Sequence, residues 1–197
     1  MIEKIKELRK KTNMSLNECK KALEKAGGSV SDALVLLQGV QINSSDKRKN
    51  KIAKEGRIEA YVHTGNQIGC MVEVNCETDF AARSVEFIKF CENLSLQIVA
   101  LQPMYVSKDE ISNEQVLAQR DSIKDRLSEY IKGQGVEFVN NLLNQKINDW
   151  YREVVLMEQT SVINQSKLIK DLLAELSAQL GEKVIISRFE KWSVNHN

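Results

Sequence analysis

Residues 57–75 read RIEAYVHTGNQIGCMVEVN, and this stretch decides the fold class. Ile58, Ala60 and Val62 alternate with polar or amphipathic neighbours, and so do Ile68, Cys70, Val72 and Val74. A period of two marks a strand, because successive side chains point to opposite faces of a sheet. Between the two runs lie Gly65 and Asn66, residues that tolerate the left-handed backbone of a tight hairpin. Loop length then sets the register, and a slip of one residue moves every side chain to the other face. A two-residue Gly65-Asn66 loop pairs Val62 with Gly69 and puts the apolar sets on opposite faces. A three-residue loop, Thr64 to Asn66, pairs Val62 with Ile68, Ala60 with Cys70 and Ile58 with Val72. The second keeps one face apolar and is the expected form, with Asn66 left-handed.

Immediately downstream, residues 75–80 read NCETDF, a polar connection that ends in a large aromatic ring. Phe80 either folds back under the hairpin or waits for a partner. A helix follows from near Ser84, with Phe87, Cys91, Leu94, Ile98 and Leu101 on one face and Pro103 as its stop. SKDE (107–110) and SNEQ (112–115) are cap signatures that introduce a helix carrying Val116, Ile123, Leu127 and Ile131, ended near Gly133 and Gly135. Val136, Val139, Leu143, Ile147, Trp150, Tyr151 and Val154 mark another helix. Ser166 is the expected cap of KLIKDLLAELSAQL, which Gly181 terminates. The last segment, EKVIISRFEKW (182–192), is rich in β-branched and aromatic residues and is expected to pair with the hairpin as a third strand. Strands covered on one face by helices make the class α+β.

Upstream, residues 1–40 carry three short helical patterns. Ile2, Ile5 and Leu8 recur at helical spacing. Ser15 and Glu18 form a capping box for Leu16, Cys19, Leu23 and Ala26, which Gly27-Gly28 ends. Ser29 or Ser31 caps a third helix with Ala33, Leu34, Leu36 and Leu37. So small a module buries little surface, and it either docks on a partner or packs on the rest of the chain. Residues 41–56 hold five Lys or Arg against Asp46 and Glu55. They read as a solvated linker, because no aromatic is interleaved to stack on bases. The alternative is a basic patch, Lys47-Arg48-Lys49, that tethers an RNA- or ribosome-associated adaptor. The domain reading is therefore 1–40 helical module, 41–56 linker and 57–197 α+β core.

Charge and composition narrow the function. The 197 residues carry a net charge of +1, which does not point to nucleic acid or an anionic membrane as the partner of the whole chain. No apolar run reaches the roughly 18 residues of a membrane span, and the charged start is no secretory signal, so a cytoplasmic-type protein is expected. Cys19, Cys70, Cys76 and Cys91 form no CxxC pair and read as reduced packing residues. His63 and His196 stand apart, with no neighbouring metal ligands. There is no GxxxxGK[ST] or GxGxxG, and no Ser-His-Asp or Cys-His set, so neither an enzyme nor a cofactor is expected.

Two stretches add a resemblance. LRKKTNMSLNECKKAL (8–23) resembles the N-terminal signature of the elongation factor Ts family, and EVNCETDFAAR (73–83) is similar to its second signature. VVLMEQ (154–159) and ISRFE (186–190) fall in matching order. The resemblance spans essentially the whole chain. It implies a ubiquitin-associated-like three-helix domain, then a three-stranded antiparallel sheet packed with helices. It also implies a guanine-nucleotide exchange factor. In that family the Asp-Phe of the TDF motif enters elongation factor Tu near its magnesium and phosphate site, dislodges Mg²⁺ and promotes GDP release. On this chain the implied site is Thr78, Asp79, Phe80 and Ala81. The sequence departs from the family pattern at Asn13-Met14-Ser15-Leu16, where Gly-Ala-Gly-Met is usual, and at Thr160-Ser161, where Pro and an aromatic are common. The chain has room for one core, and short members of the family are expected to form homodimers.

Overall fold

Three helices open the chain: α1 (Ile2–Thr12), α2 (Leu16–Lys25) and α3 (30–37). The computed structural model describes residues 2–12, 16–37 and 52–194. The turn at Asn13, the Ser15–Glu18 capping box and the linker up to residue 51 lie outside them. Ile5, Leu8, Cys19, Ala22, Leu23, Ala33 and Leu37 form a closed core, with Ala26, Val30 and Leu34 packed against it. The expected helical faces point inward, except that Ile2, Leu16 and Leu36 are exposed. Gly27 and Gly28 both take positive φ, and the Gly28 amide bonds back to the Leu23 carbonyl, as a helix terminator should. Ser29 caps α3 by accepting from the Asp32 amide at 3.3 Å.

The sheet has three antiparallel strands in the order β1 (Glu55–Val62), β2 (Ile68–Cys76), β3 (Ile185–Ser193). The third strand joins β2, as its composition predicts. The hairpin register is not the expected one. His63 N–H donates to the Ile68 carbonyl, and Val62 lies opposite Gly69, whose added Cβ would meet the Val62 Cα at 3.5 Å. The same ladder sets Gly56 against Asn75. This is the register of a two-residue loop, although the connection runs through Thr64–Gln67. Asn66 is left-handed as expected (φ 56°), and its amide closes a turn onto the His63 carbonyl. The reason is local: Gly65 and Asn66 both take positive φ, and that turn aligns His63 with Ile68. The apolar sets consequently part. Cys70, Val72, Val74 and Cys76 face the core, whereas Ile58 and Val62 of β1 point outward at 58% and 63% exposure.

After β2 come α4 (Asp79–Ala82), α5 (Val85–Leu101), a 3-10 turn (Lys108–Glu110), α6 (Asn113–Arg126), α7 (Ser128–Ile131), α8 (Val136–Val154), a second 3-10 turn (Leu156–Glu158) and α9 (Ile169–Leu180). Phe87, Cys91, Leu94 and Ile98 of α5 are buried, but Leu101 at its end is exposed. Ser112 forms the expected capping box with Gln115 and starts α6. Ser107 makes no cap bond; Glu110 reaches back instead to the Val106 amide at 2.9 Å. Ser166 is no cap either, because its hydroxyl donates to Asn164 and α9 begins at Ile169. Ile123, Leu143 and Ile147 form a small cluster between α6 and α8, with Leu127, Val139, Trp150 and Tyr151 against it.

Contacts divide the chain into two compact units. One comprises 1–58, 73–91 and 171–187; the other comprises 59–72, 92–170 and 188–197. In the second unit, a buried amide pair organises the stretch around Thr160-Ser161. Gln97 Nε2 donates to Gln159 Oε1 and to the Thr160 carbonyl, both at 3.1 Å, and Gln97 Oε1 accepts from the Val162 amide at 2.8 Å. The four cysteines are buried thiols. Burial pushes Cys70 up to about 11, against the smaller pull of the Tyr61 amide. No described helix is long and apolar enough to cross a membrane.

Candidate functional site

Strand β2 ends at Cys76, fully buried, and within two residues the chain turns into α4. Thr78 has extended backbone (φ −128°, ψ 154°) and accepts from the Ala81 amide at 3.3 Å, so it is the N-cap. The single turn closes with Arg83 N–H donating to the Asp79 carbonyl at 3.1 Å. Ala81 and Ala82 are buried, and their small side chains let the turn lie close to the protein body. Ser84 ends the turn by donating to the Ala81 carbonyl at 2.8 Å, and it starts α5 by accepting from the Phe87 amide.

One turn has little stability of its own, so the bonds that fix it come from elsewhere in the fold. Glu182, next to Gly181 at the end of α9, directs its carboxylate into the loop. Oε2 accepts from the Glu77 amide at 3.2 Å and the Thr78 amide at 3.0 Å, and Oε1 accepts from the Thr78 hydroxyl at 2.6 Å. Glu77 answers by accepting from the Lys183 amide at 2.6 Å. The Cys76 thiol donates to the Thr78 carbonyl at 3.1 Å. Burial pushes that thiol's pKa up, and the negative charge of Glu182 adds to the effect, so the sulfur keeps its proton and remains a donor.

Phe80 protrudes from this anchored turn with 83% of its surface exposed. The reading in which it folds back under the hairpin is therefore excluded. Beside it, Asp79 pairs with Arg83 one turn on at 3.2 Å; the Arg83 side chain is 80% exposed and that of Asp79 45%. Of the four residues singled out from the sequence, Asp79 and Phe80 face solvent, while Thr78 and Ala81 hold the turn. Sequence reasoning did not find Glu182 or the reciprocal Glu77–Lys183 bond. Thr78 and Glu182 are 104 residues apart, and the only local signal was an acidic residue directly after a helix-ending glycine. Among the described residues no group of three or more His, Cys, Asp or Glu is placed to hold a metal.

Fold and loop together define an α+β protein that presents an exposed aromatic side chain from a fixed turn, and comparison places that protein among the translation elongation factors. The family model described as Elongation factor TS matches residues 1–196. Elongation factor Ts of Syntrophobacter fumaroxidans is 37% identical over 190 residues, covering 96% of this chain and 94% of the relative. That of Herpetosiphon aurantiacus is 36% identical over 196 residues, covering 100% and 98%. That of Thermotoga petrophila is 35% identical, covering 96% and 94%. The chain belongs to the elongation factor Ts family.

Proposed function

We propose that this chain is the guanine-nucleotide exchange factor of elongation factor Tu. It binds the GDP-bound GTPase, and Asp79 and Phe80 enter at the magnesium end of the nucleotide site. Mg²⁺ is displaced, GDP leaves, and GTP takes its place for translation elongation in the cytoplasm. The observation that carries this reading is the 83% exposure of Phe80 on a turn tied down on every side. A large apolar ring held in water is poised to be buried by a partner.

Exchange of this kind needs no bond chemistry from the chain. The factor binds the nucleotide-free partner more tightly than the GDP form, and by linkage GDP weakens the factor's binding by the same ratio. Displacing Mg²⁺ removes the largest positive charge that holds the phosphates. A thousandfold acceleration lowers the barrier by roughly 4 kcal/mol. Burying one Phe side chain contributes about 1.5–3 kcal/mol, so the wider interface supplies the remainder. Residues 1–40 are proposed to dock on the same GTPase, residues 41–54 to tether them, and residues 55–197, from the first residue of β1 onward, to form the core that dimerises. The open side of the sheet supports a homodimer. Val62, Met71, Trp192 and Val194 line one shallow apolar groove there.

The test is release of fluorescently labelled GDP from elongation factor Tu by catalytic amounts of the full chain. Accelerated release at substoichiometric concentration is expected; an unchanged rate overturns the reading.

A further inference from the structure

The geometry points to Glu182 as a positioning residue for exchange: through Thr78 it holds the Asp79–Phe80 turn in the shape that enters the partner. This inference rests on the exchange reading above and extends it to a residue outside the loop, on the far side of α9 in sequence.

A carboxylate only accepts hydrogen bonds, and the three donors that meet Glu182 all belong to the loop: the amides of Glu77 and Thr78 and the Thr78 hydroxyl. Because the Thr78 hydroxyl must spend its proton on Glu182, its lone pairs are left for the Ala81 amide. One carboxylate thus sets the direction of the bond that caps α4. Charge assistance strengthens the 2.6 Å contact between the Thr78 hydroxyl and Glu182. Glu182 is itself held. Gly181 at φ 72° turns the chain out of α9, the Ser177 hydroxyl donates to the Glu182 carbonyl at 2.5 Å, and the neighbouring Lys183 amide is fastened to Glu77. The acceptor and the loop are therefore fixed to each other from both directions. Phe80 follows two residues after the last anchored donor, so the ordering that a loose loop would undergo on binding is already complete.

A residue that only stabilises the fold and one that presents Phe80 differ in how their substitution combines with loss of the ring. The experiment follows stimulated release of labelled GDP from elongation factor Tu across a range of full-chain concentrations, for wild type, Glu182→Gln, Glu182→Ala, Phe80→Ala and the Phe80→Ala/Glu182→Gln double variant. Glu182→Gln keeps the side chain's size and removes its charge, and it carries the test if Glu182→Ala does not fold. Glu182→Gln is expected to lower the maximal rate by about tenfold, as loss of a charge-assisted anchor should, while the half-saturating concentration moves by less than about twofold. In the Phe80→Ala background the same substitution is expected to cost less, about threefold or below, because only Asp79 is left to be positioned and residues acting through one another are not additive. Amide hydrogen exchange at Glu77 and Thr78 is expected to speed up in Glu182→Gln. A full tenfold loss in both backgrounds, or active wild type beside equally active Glu182→Gln and Glu182→Ala, overturns the positioning role alone. A wild-type chain that does not stimulate release overturns the exchange reading, and the positioning role with it.

Discussion

Val62 faces Gly69 across the β1–β2 ladder, and that pairing leaves apolar residues on both sides of the sheet. A Cβ on Gly69 would approach the Tyr61 carbonyl oxygen to 2.9 Å and Val62 Cγ2 to 3.3 Å, so the strands are close at this point. Partners in an antiparallel pair share a face. Cys70, Val72 and Val74 thus point to the core beside the half-buried Arg57, Glu59 and Tyr61, and Ile58, Ala60 and Val62 are left outside with Met71. Apolar residues on the outer face of a sheet bury well only under a second layer.

A second copy of the chain supplies that layer in the proposed homodimer. Val62→Lys places a charge in the lining of the groove and is expected to separate the copies without unfolding either one. Light scattering at micromolar concentration should give twice 22.4 kDa for the wild type and 22.4 kDa for the variant. A wild-type mass of one chain removes the homodimer.

Gly56 is another close point of the same ladder. An added Cβ there would collide with the Val74 carbonyl oxygen and sit 2.8 Å from the Asn75 Cα, and neither backbone atom can rotate away. Gly56→Ala is expected to cost about 1–3 kcal/mol, the range for overpacking. Gly135 has open space around it and an ordinary φ of −67°, so Gly135→Ala loses only the small preference of the α8 N-cap for Gly and is expected to cost less than about 1 kcal/mol. Urea unfolding of the two variants reads the contrast, and equal midpoints would show that the strands are not paired this closely.

Phe80→Ala separates binding from stability. The ring touches little of its own chain, so the melting temperature should stay within about 1 °C of wild type, as for surface substitutions in general. The maximal rate of GDP release should fall by about tenfold to a hundredfold, the equivalent of losing 1.5–3 kcal/mol of burial in the partner. Asp79→Ala frees Arg83 from its 3.2 Å pair and is expected to slow release as well, again with the fold intact. Full activity in both variants would remove the pair from the site.

What was legible in the sequence was what is local. Period two at 58–74 and helical spacing at 87–98 each follow from a few neighbouring residues, and the structure has strands and a helix there. Caps were legible where both halves of the box were free to bond. Gln115 returns the bond of Ser112, whereas Glu110 goes to the Val106 amide and leaves Ser107 without a cap bond. Register was not legible, because the assumption of one buried face fails for a sheet whose edge strand turns its apolar side outward. The clamp on the TDF loop was not legible either. Glu182 meets Thr78 only once α9 and β3 have brought residues 104 positions apart together. Phe80's exposure depends on that same clamp and on the buried Ala81 and Ala82, so composition alone left its direction open.

Acid should weaken one contact in a defined window. Glu158 joins Lys170 at 3.0 Å and Lys108 at 3.3 Å, and Lys108 also lies 4.6 Å from the centre of the Tyr151 ring. Burial pushes the Glu158 carboxyl up, but the hydrogen bonds and charges of Lys170 and Lys108 together outweigh it and hold its pKa below the ordinary 4.5. A carboxyl whose folded pKa is depressed adds stability that is complete above the unfolded value and is lost as pH falls through the folded one. Glu158→Gln removes the charge at every pH. It is expected to destabilise the chain by about 1 kcal/mol at pH 7, the lower end for a charged hydrogen-bonded pair because both lysines are about 40% exposed. The gap between wild type and variant should hold steady from pH 8 to about 5 and close below 4.5 as the wild-type carboxyl takes up its proton. Denaturant midpoints across that range measure it. A gap that stays constant down to pH 3 would mean that Glu158 contributes through its shape and not through its charge.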